Sequence, residues 1–426
     1  MLERLKKSDF LNSILILISG TVIAQIISYS LSPIISRIYS PEEMSYLSLL
    51  TRIVSFFAVI ATARYEIAFP LPKRDEHAFS LYKTSFYIMI IVVFFSFFSV
   101  LIIDLFDLLN SVLDPILYFI PFGILFLAFN SQGLNWAIRM KDLRAISLSK
   151  ILQSTFNSVL GVVFGFLSFG YVGLIYAFLI GVLVSNIPFW KVFYSTKNHM
   201  NIFKLKGRNY ATLKSYSDFP KINLPHILMD LTKELFIAFY LIYSFDKEVL
   251  GLYDFSYRML RLPIAIIGAS ISQVLFKKAA DLMNEGKSIY ILVRKTVFLL
   301  FLISIIPFGT LFLFGEEIFS FVFGENWKEA GRFSEIMAPW LMMNFIVSPI
   351  SQIPTVLGRQ KSFFYMSLFI TSILIISLLT NVFLPNIRLS FQKTLIIVSI
   401  GQFFCLIFLM FWVMKVTKMN SKQLKF

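Results

Sequence analysis

Ionisable side chains interrupt several apolar stretches of this sequence, and they are the residues best able to do chemistry there. The cations are Arg52, Arg64, Lys83, Lys150, Lys233, Arg258 and Arg261, and the anions are Glu66, Asp230, Glu234 and Asp254. An ionisable group inside a membrane is costly, so its retention indicates a function. The excess of cations predicts a positive environment that favours an anionic group, such as a diphosphate or an acidic sugar, because guanidinium groups bind such groups through planar pairs of donors.

The spacing of these groups indicates which of them could act together. Asp254, Arg258 and Arg261 follow one another at i, i+4 and i+7, which places them on one helix face. The substrate-binding candidates are Arg52, Arg258, Arg261, Lys233 and Arg64, and the candidates for ion coupling or charge balance are Asp230, Glu234, Asp254 and Glu66. No residue is assigned a catalytic role.

Structural roles compete with these hypotheses. Lys83 and Lys150 lie within a turn or two of a predicted span end, where lysine extends its ammonium group to the interface. The arginines and the carboxylates are also explained by interhelical or local salt bridges. The sequence alone leaves both interpretations open.

Composition identifies a membrane protein. The chain has 426 residues, of which 57% are hydrophobic and 15% are charged, and its mean hydropathy is +0.77. A soluble core cannot bury this apolar fraction, which excludes a soluble enzyme, a disordered protein and a nucleic-acid binder. The single cysteine, Cys405, excludes an intramolecular disulfide and a multi-cysteine metal site. The three histidines are far apart, and no phosphate-binding loop motif is present, so we expect neither a metal nor a built-in ATPase.

A window of about 20 apolar residues predicts twelve membrane spans. They cover residues 12–35, 44–66, 81–103, 116–136, 147–169, 173–190, 222–243, 250–274, 296–314, 333–357, 363–383 and 394–414. The predicted fold class is therefore an all-α polytopic membrane protein.

The distribution of lysine and arginine predicts the orientation. With the N-terminus in the cytoplasm, 26 of these residues lie in cytoplasmic segments and six on the other side. This asymmetry places both termini inside and accounts for most of the net charge of +15. The two longest connections are a cytoplasmic stretch around residues 191–221 and an outer stretch around Gly315–Gly331. Neither is long enough for a catalytic domain.

An internal repeat divides the chain into halves. The pattern S-Q-x6-R-x-K ends the fourth span at Ser131 and recurs at Ser351, and Glu42 to Arg52 resembles Glu248 to Arg258. The repeat predicts two six-helix lobes related by a pseudo-two-fold axis along the membrane normal, as in transporters. The predicted lobes are 1–195 and 221–426, joined by a cytoplasmic linker at 196–220.

Several short segments together resemble the bacterial polysaccharide-unit flippases, the O-antigen or Wzx-type transporters. Their superfamily also includes the MATE exporters and the lipid II flippases. The segments are Gly20-Thr21…Gln25, Ser40-Pro41-Glu42-Glu43, Ala63-Arg64-Tyr65-Glu66-Ile67-Ala68, Pro70-Leu71-Pro72, Asn135-Trp136…Arg139, Ile146-Ser147…Lys150…Gln153 and Phe323-Gly324-Glu325…Trp327…Ala330-Gly331. The resemblance covers essentially the whole chain, although twelve predicted spans differ from the fourteen expected of lipid II flippases.

The resemblance implies a flippase that carries an undecaprenyl-diphosphate-linked oligosaccharide to the outer leaflet by alternating access. In such proteins cationic residues meet the anionic headgroup in a lumen between the lobes, and Arg52, Arg258 and Arg261 match that role here. It further implies the bacterial cytoplasmic (inner) membrane, no cofactor beyond a proton or sodium gradient, and as partners the lipid-linked oligosaccharide, membrane lipids and other polysaccharide-assembly membrane proteins.

Two alternatives remain from the sequence. A MATE-like exporter of small molecules would need a dominant acidic site, which the cationic balance disfavours. A membrane-embedded polymerase or glycosyltransferase would need large outer loops or carboxylates placed for acid–base catalysis.

Overall fold

The computed structural model describes residues 2–106, 115–197, 209–379 and 389–423, and over these ranges every regular element is a helix. The chain divides into two units, residues 1–251 and residues 252–426. Nine described helical segments are long and apolar enough to cross a membrane. The predicted class, an all-helical multi-pass membrane protein, is confirmed.

The first unit contains nine complete helices and the start of a tenth among the described residues. They are α1 (Leu2–Ile38), α2 (Pro41–Thr62), α3 (Asp75–Leu105), α4 (Ile120–Met140), α5 (Leu143–Phe166), α6 (Gly170–Ser185), α7 (Ile187–Lys197), α8 (Asn209–Ser215), α9 (Leu224–Ser244) and α10 (Lys247–Leu260). Helix α5 packs against α1 and α6, whereas α2 packs against α3, α4 and α9. Helix α2, which carries Arg52, therefore packs directly on α9, which carries Lys233 and Glu234.

Local chemistry defines both ends of α2. Before its first turn, the Ser40 amide donates to Glu43 Oε2 at 2.8 Å and the Glu43 amide donates to Ser40 Oγ at 3.2 Å. This reciprocal capping box, with Pro41 in the first turn, stabilises the helix start. The helix ends where Ala63 and Arg64 adopt left-handed backbone conformations, with φ of 48° and 60°. The predicted second span, 44–66, therefore ends four residues too late, and Arg64 and Glu66 lie in the following turn.

Small residues bring α1 and α5 together. A Cβ atom on Gly20 would lie 2.4 Å from the Cβ of Ser147. Such close backbone approach is typical of helix packing in membranes, where small side chains maximise van der Waals contact.

The second unit is also helical throughout its described residues. After α10 it contains α11 (Ala269–Asn284), α12 (Tyr290–Phe323), α13 (Lys328–Ile350), α14 (Ile353–Val356), α15 (Gln360–Leu378) and α16 (Phe391–Gln423). Helix α13 packs on α12 and α16, and α15 also packs on α16.

The predicted span 250–274 is helical over nearly all of its length but is not one continuous α-helix. Helix α10 ends at Leu260, a π-helical segment covers Ile264–Gly268, and α11 begins at Ala269. Pro263 explains the break, because a proline lacks the amide hydrogen that would continue the α-helical pattern. By contrast, α13 remains one helix through Pro339 and Pro349.

The predicted outer stretch Gly315–Gly331 is also mostly helical. Helix α12 continues to Phe323, and only a turn around residues 324–327 separates it from α13. A Cβ on Gly331 would lie 2.3 Å from the carbonyl oxygen of Gly315, so these glycines allow the two helices to touch. The adjoining core is aromatic, with the rings of Phe255 and Trp327 centred 4.2 Å apart.

Three predicted spans fall outside the nine segments. They correspond to α5, α9 and the interrupted α10–α11 region. Helix α9 carries Asp230, Lys233 and Glu234, which lower its apolarity. Part of the predicted linker, residues 198–208, lies outside the described residues, and so does His199. The predicted division into lobes stays a prediction.

Candidate functional site

An ion pair joins the middle of α2 to the middle of α9. Arg52 Nη2 lies 3.9 Å from Glu234 Oε2, and the Arg52 and Glu234 side chains are 16% and 39% exposed. Arg52 Nη1 also donates a hydrogen bond to Ser48 Oγ, one turn earlier on α2. The structure therefore brings together two of the charges predicted from the sequence, and it holds the guanidinium group in place from its own helix.

A second pair lies one turn away on α9. Lys233 Nζ is 3.9 Å from Asp230 Oδ1, and Asp230 is 66% exposed. Together with Arg52 and Glu234, these residues supply two cations and two anions in two ion pairs, which we call the α2–α9 charge row. Because α9 is a single helix, one displacement of α9 would move three of the four charges together.

The turn after α2 holds a third pair. Arg64 Nη1 is 3.5 Å from Glu66 Oε1, and Arg64 Nε donates to Asn223 Oδ1 at 2.9 Å. Asn223 ends the π-helical segment Phe219–Asn223 that leads into α9. Arg64 thus connects the end of α2 to the start of α9, which agrees with the predicted interfacial salt bridge and adds a contact that the sequence did not predict.

Glu66 is buried in this turn. Its side chain is 1% exposed, and Oε2 has no hydrogen-bond partner among the described residues. Burial raises the pKa of Glu66, while the Thr62 and Ser131 hydroxyls and the Arg64 guanidinium act in the opposite direction. A carboxyl group in such surroundings favours its neutral form.

Arg139 fixes the same turn from α4. Its Nη1 donates to the carbonyl oxygens of Phe69 and Pro72 at 2.8 and 2.9 Å, and its Nη2 lies 2.5 Å from Asp75 Oδ1. In the sequence, Arg139 stands out only as a cytoplasmic positive charge and a motif residue. The signal that points to its structural role is the proline-containing turn, because carbonyl groups outside a helix need other donors.

The remaining predicted cations, Arg258 in the last turn of α10 and Arg261 just after it, lie over aromatic rings. Arg258 lies 5.3 Å from the ring centre of Phe255, and Arg261 lies 5.2 Å from that of Tyr257. Both arginines are exposed, and Asp254 is half-buried one turn before Arg258. Arg258 is the twelfth residue of α10, as Arg52 is of α2, which agrees with the predicted repeat.

The two lysines of the first unit have different surroundings. Lys150 Nζ donates to Thr21 Oγ1 on α1 at 3.0 Å, so it links two helices. Lys83 Nζ lies 5.1 Å from the ring centre of Phe79. Over the described residues, no group of three or more His, Cys, Asp or Glu side chains is placed to hold a metal ion.

Comparison with known families decides the identity of the chain. A family profile described as "Polysaccharide biosynthesis protein" matches residues 34–332, which is well over half of the sequence. The chain belongs to this family. A comparison with curated protein sequences finds no match.

Solved structures show the fold of this polysaccharide biosynthesis protein. A multidrug resistance MATE family transporter of the MOP superfamily, in an inward-facing conformation, has a TM-score of 0.69 at 16% identity, with 94% of this chain and 95% of that chain covered. The lipid II flippase MurJ, in an inward closed conformation, has a TM-score of 0.69 at 17% identity, with 96% and 90% covered. An outward-facing MATE structure has a TM-score of 0.56 at 17% identity, with 97% and 96% covered. The protein therefore shares the fold of these structures, and its family membership confirms the resemblance noted from its sequence.

Proposed function

We propose that this polysaccharide biosynthesis protein is a flippase for an undecaprenyl-diphosphate-linked oligosaccharide, the repeat unit of an O-antigen or another surface polysaccharide. It moves the saccharide and diphosphate from the cytoplasmic to the outer leaflet by alternating access, and it catalyses no covalent step. Family membership supports the pathway, and the fold shared with MATE and MurJ structures supports a transport mechanism.

The observation that carries the proposal is the position of Arg52. It lies in the middle of a predicted span, oriented by Ser48, and its anionic neighbour Glu234 is 39% exposed. An arginine at this depth needs anionic or polar partners. A diphosphate group supplies stronger bidentate acceptors than a partly solvated carboxylate does.

Solvation explains why a flippase is needed. A phosphorylated, sugar-bearing head cannot cross hydrocarbon unaided, because its polar groups would lose water without replacement. A polar path removes this cost while the lipid tail stays in the bilayer. In this proposal Arg52, Arg258, Arg261, Lys233 and Arg64 bind the anionic head in turn.

The proposed topology has twelve spans in two six-helix halves with both termini in the cytoplasm, in the bacterial inner membrane. The halves are 1–195 and 221–426, and 196–220 is the linker. The lysine and arginine distribution and the internal repeat support this arrangement.

Coupling to a proton or sodium gradient is part of the proposal. Asp230, Glu234, Asp254 and Glu66 are the carboxyl groups available for it. The ion pair between Arg52 and Glu234 supports this role, because it places a carboxylate beside a cation proposed to bind the substrate. An unchanged flipping rate after collapse of both gradients would contradict it.

Deletion of the gene in its host tests the proposed function. We expect loss of surface polysaccharide and accumulation of single lipid-linked repeat units on the inner leaflet, whose mass identifies the cargo. Normal surface polysaccharide with heightened sensitivity to cationic drugs would instead indicate an exporter. Flipped but unpolymerised units would indicate a polymerase.

A further inference from the structure

An aromatic groove lies on the first unit among α3, α4 and α7. Its cavity volume is about 310 Å³, at the lower end of the roughly 300–1,000 Å³ typical of small-molecule sites. The groove is lined chiefly by Phe79, Tyr82, Phe86, Trp136, Phe189 and Phe193. We propose that this groove binds one chain of an anionic phospholipid, whose phosphate pairs with Lys83.

The groove is rigid rather than a gap between loose side chains. The rings of Tyr82 and Phe193 are stacked with centres 5.0 Å apart, and those of Tyr82 and Trp136 meet edge to face at 5.5 Å. A Cβ on Gly133 would lie 2.7 Å from the Cβ of Phe189, so the absent side chain lets α7 close against α4. Packed aromatic walls of this kind offer a preformed apolar surface.

The rim of the groove is exposed and apolar. Tyr87 and Trp190 on its rim are 64% and 47% exposed. The outward side of α3 continues from Tyr87 through Ile90, Ile91 and Phe94, which are 46%, 53% and 67% exposed. Helix α3 is one of the segments able to span a membrane, so this exposed apolar strip is accessible to lipid chains.

Lys83 supplies the charge that selects an anionic lipid. It lines the groove, and its ammonium group rests over the Phe79 ring. No carboxylate among the described residues forms an ion pair with it, in contrast to Arg52, Lys233 and Arg139. An ammonium group with apolar surroundings and no counter-ion has most to gain from a phosphate.

The depth of Lys83 suits a phosphate at the interface. It follows the first residue of α3, Asp75, by eight positions, which corresponds to about 12 Å along a helix. The predicted orientation places this end of α3 in the cytoplasmic leaflet, where anionic lipids meet basic pockets between helices. A lysine side chain reaches outward from this depth while its stem remains in hydrocarbon. The site does not involve the α2–α9 charge row, so it is separate from the proposed path of the saccharide.

The test is lipid binding by the purified full-length protein, independent of transport. Native mass spectrometry would compare phosphatidylglycerol with phosphatidylcholine adducts for the wild type, Lys83→Gln and Lys150→Gln. We expect Lys83→Gln to reduce phosphatidylglycerol retention at least fivefold and to leave phosphatidylcholine unchanged. Lys150→Gln is the matched control, because it removes a second lysine of a predicted span that is bonded to Thr21.

Fluorescence locates the bound chain. In nanodiscs containing phosphatidylglycerol brominated on its acyl chains, we expect the bromine atoms to quench the tryptophan emission of the wild type. The extent of quenching should be smaller in Trp190→Phe, which lacks the fluorophore on the rim. It should also be smaller in Lys83→Gln, which lacks the cation that holds the lipid. Equal phosphatidylglycerol retention by the wild type and Lys83→Gln would overturn the proposal. Loss of binding with normal flipping would support the lipid site while showing that transport does not require it.

Discussion

Arg52 Nη2 lies 3.9 Å from Glu234 Oε2, so a single ion pair joins the middle of α2 to the middle of α9. Replacing Arg52 by alanine removes the cation proposed to receive the diphosphate. We expect at least a tenfold loss of flipping, since a hydrogen bond to a charged group contributes about 1.5–3 kcal/mol and each 1.4 kcal/mol corresponds to about tenfold. The measurement is surface polysaccharide in a deletion strain complemented with each variant, normalised to protein in the membrane.

Two further variants separate ligand binding from a purely structural pair. Glu234→Gln keeps the cation and should bind the lipid-linked diphosphate as the wild type does, although it removes a proposed coupling carboxylate. A purely structural salt bridge would make Glu234→Gln lose binding to the same extent as Arg52→Ala. Arg332→Ala is the control, because it breaks the ion pair with Glu316, in which the two side chains are 51% and 31% exposed. Equal activity of all three variants would contradict the proposed role of Arg52.

Glu66 gives the protein a pH-dependent stability. Burial raises the pKa of Glu66 above its ordinary value of 4.5, so the folded protein holds this proton more tightly than the unfolded chain does. The protonated carboxyl group therefore stabilises the fold fully below pH 4.5, and this stabilisation is lost as the pH rises through the raised pKa. The Tm of the wild type should therefore fall relative to that of Glu66→Gln between acidic and neutral pH. Glu285→Gln, at an exposed surface pair with Lys287, is the control. Parallel pH profiles for the wild type and Glu66→Gln would show that Glu66 is not buried as described.

Arg139 stabilises the turn that contains Arg64 and Glu66. Arg139→Ala leaves the carbonyl groups of Phe69 and Pro72 without their donor, at an expected cost of about 2–4 kcal/mol for two buried polar groups. Asp75→Asn should cost no more than about 1 kcal/mol, because Asp75 is 62% exposed. Thermal unfolding in detergent measures both, and similar losses for the two variants would contradict this account.

The contact between α12 and α13 depends on the small size of Gly331. An added Cβ would meet the Gly315 carbonyl oxygen at 2.3 Å, so Gly331→Ala should destabilise the second unit by about 1–3 kcal/mol through overpacking. Gly309, also in α12, has open space around its Cβ position. Gly309→Ala should be neutral or slightly stabilising, since alanine favours a helix over glycine. A Tm for Gly331→Ala equal to that of the wild type would refute the close contact.

Helix positions followed from the sequence because hydropathy acts locally. The exact ends did not: hydropathy begins the second span at residue 44, whereas the capping box of Ser40 and Glu43 starts α2 at Pro41. The predicted helix and loop boundaries were wrong where tertiary packing or a backbone break determines where a helix ends. Gly315 and Gly331 appeared to mark a loop, yet they permit close helix contact. Pro263 lies at a break in the α-helical pattern within a span that hydropathy predicts as continuous.

The candidate site was predictable in composition but not in pairing. Arg52, Glu234, Lys233 and Asp230 were identified because charges are rare in apolar spans. The pairing of Arg52 with Glu234 joins residues 182 positions apart in the sequence, and no local sequence pattern encodes such a contact. The repeat motif likewise concealed a difference, since Arg139 lies in a continuous α4 whereas the matching Arg359 follows a break after α13.

Reconstitution of the purified protein would measure transfer of the saccharide across the bilayer itself. Proteoliposomes would carry a lipid-linked oligosaccharide on one leaflet, and its appearance on the other would be measured with a lectin that cannot cross the bilayer. We expect transfer that depends on the wild-type protein, is at least tenfold slower with Arg52→Ala and is unchanged with Arg332→Ala. No transfer above protein-free liposomes under any imposed proton or sodium gradient would contradict it.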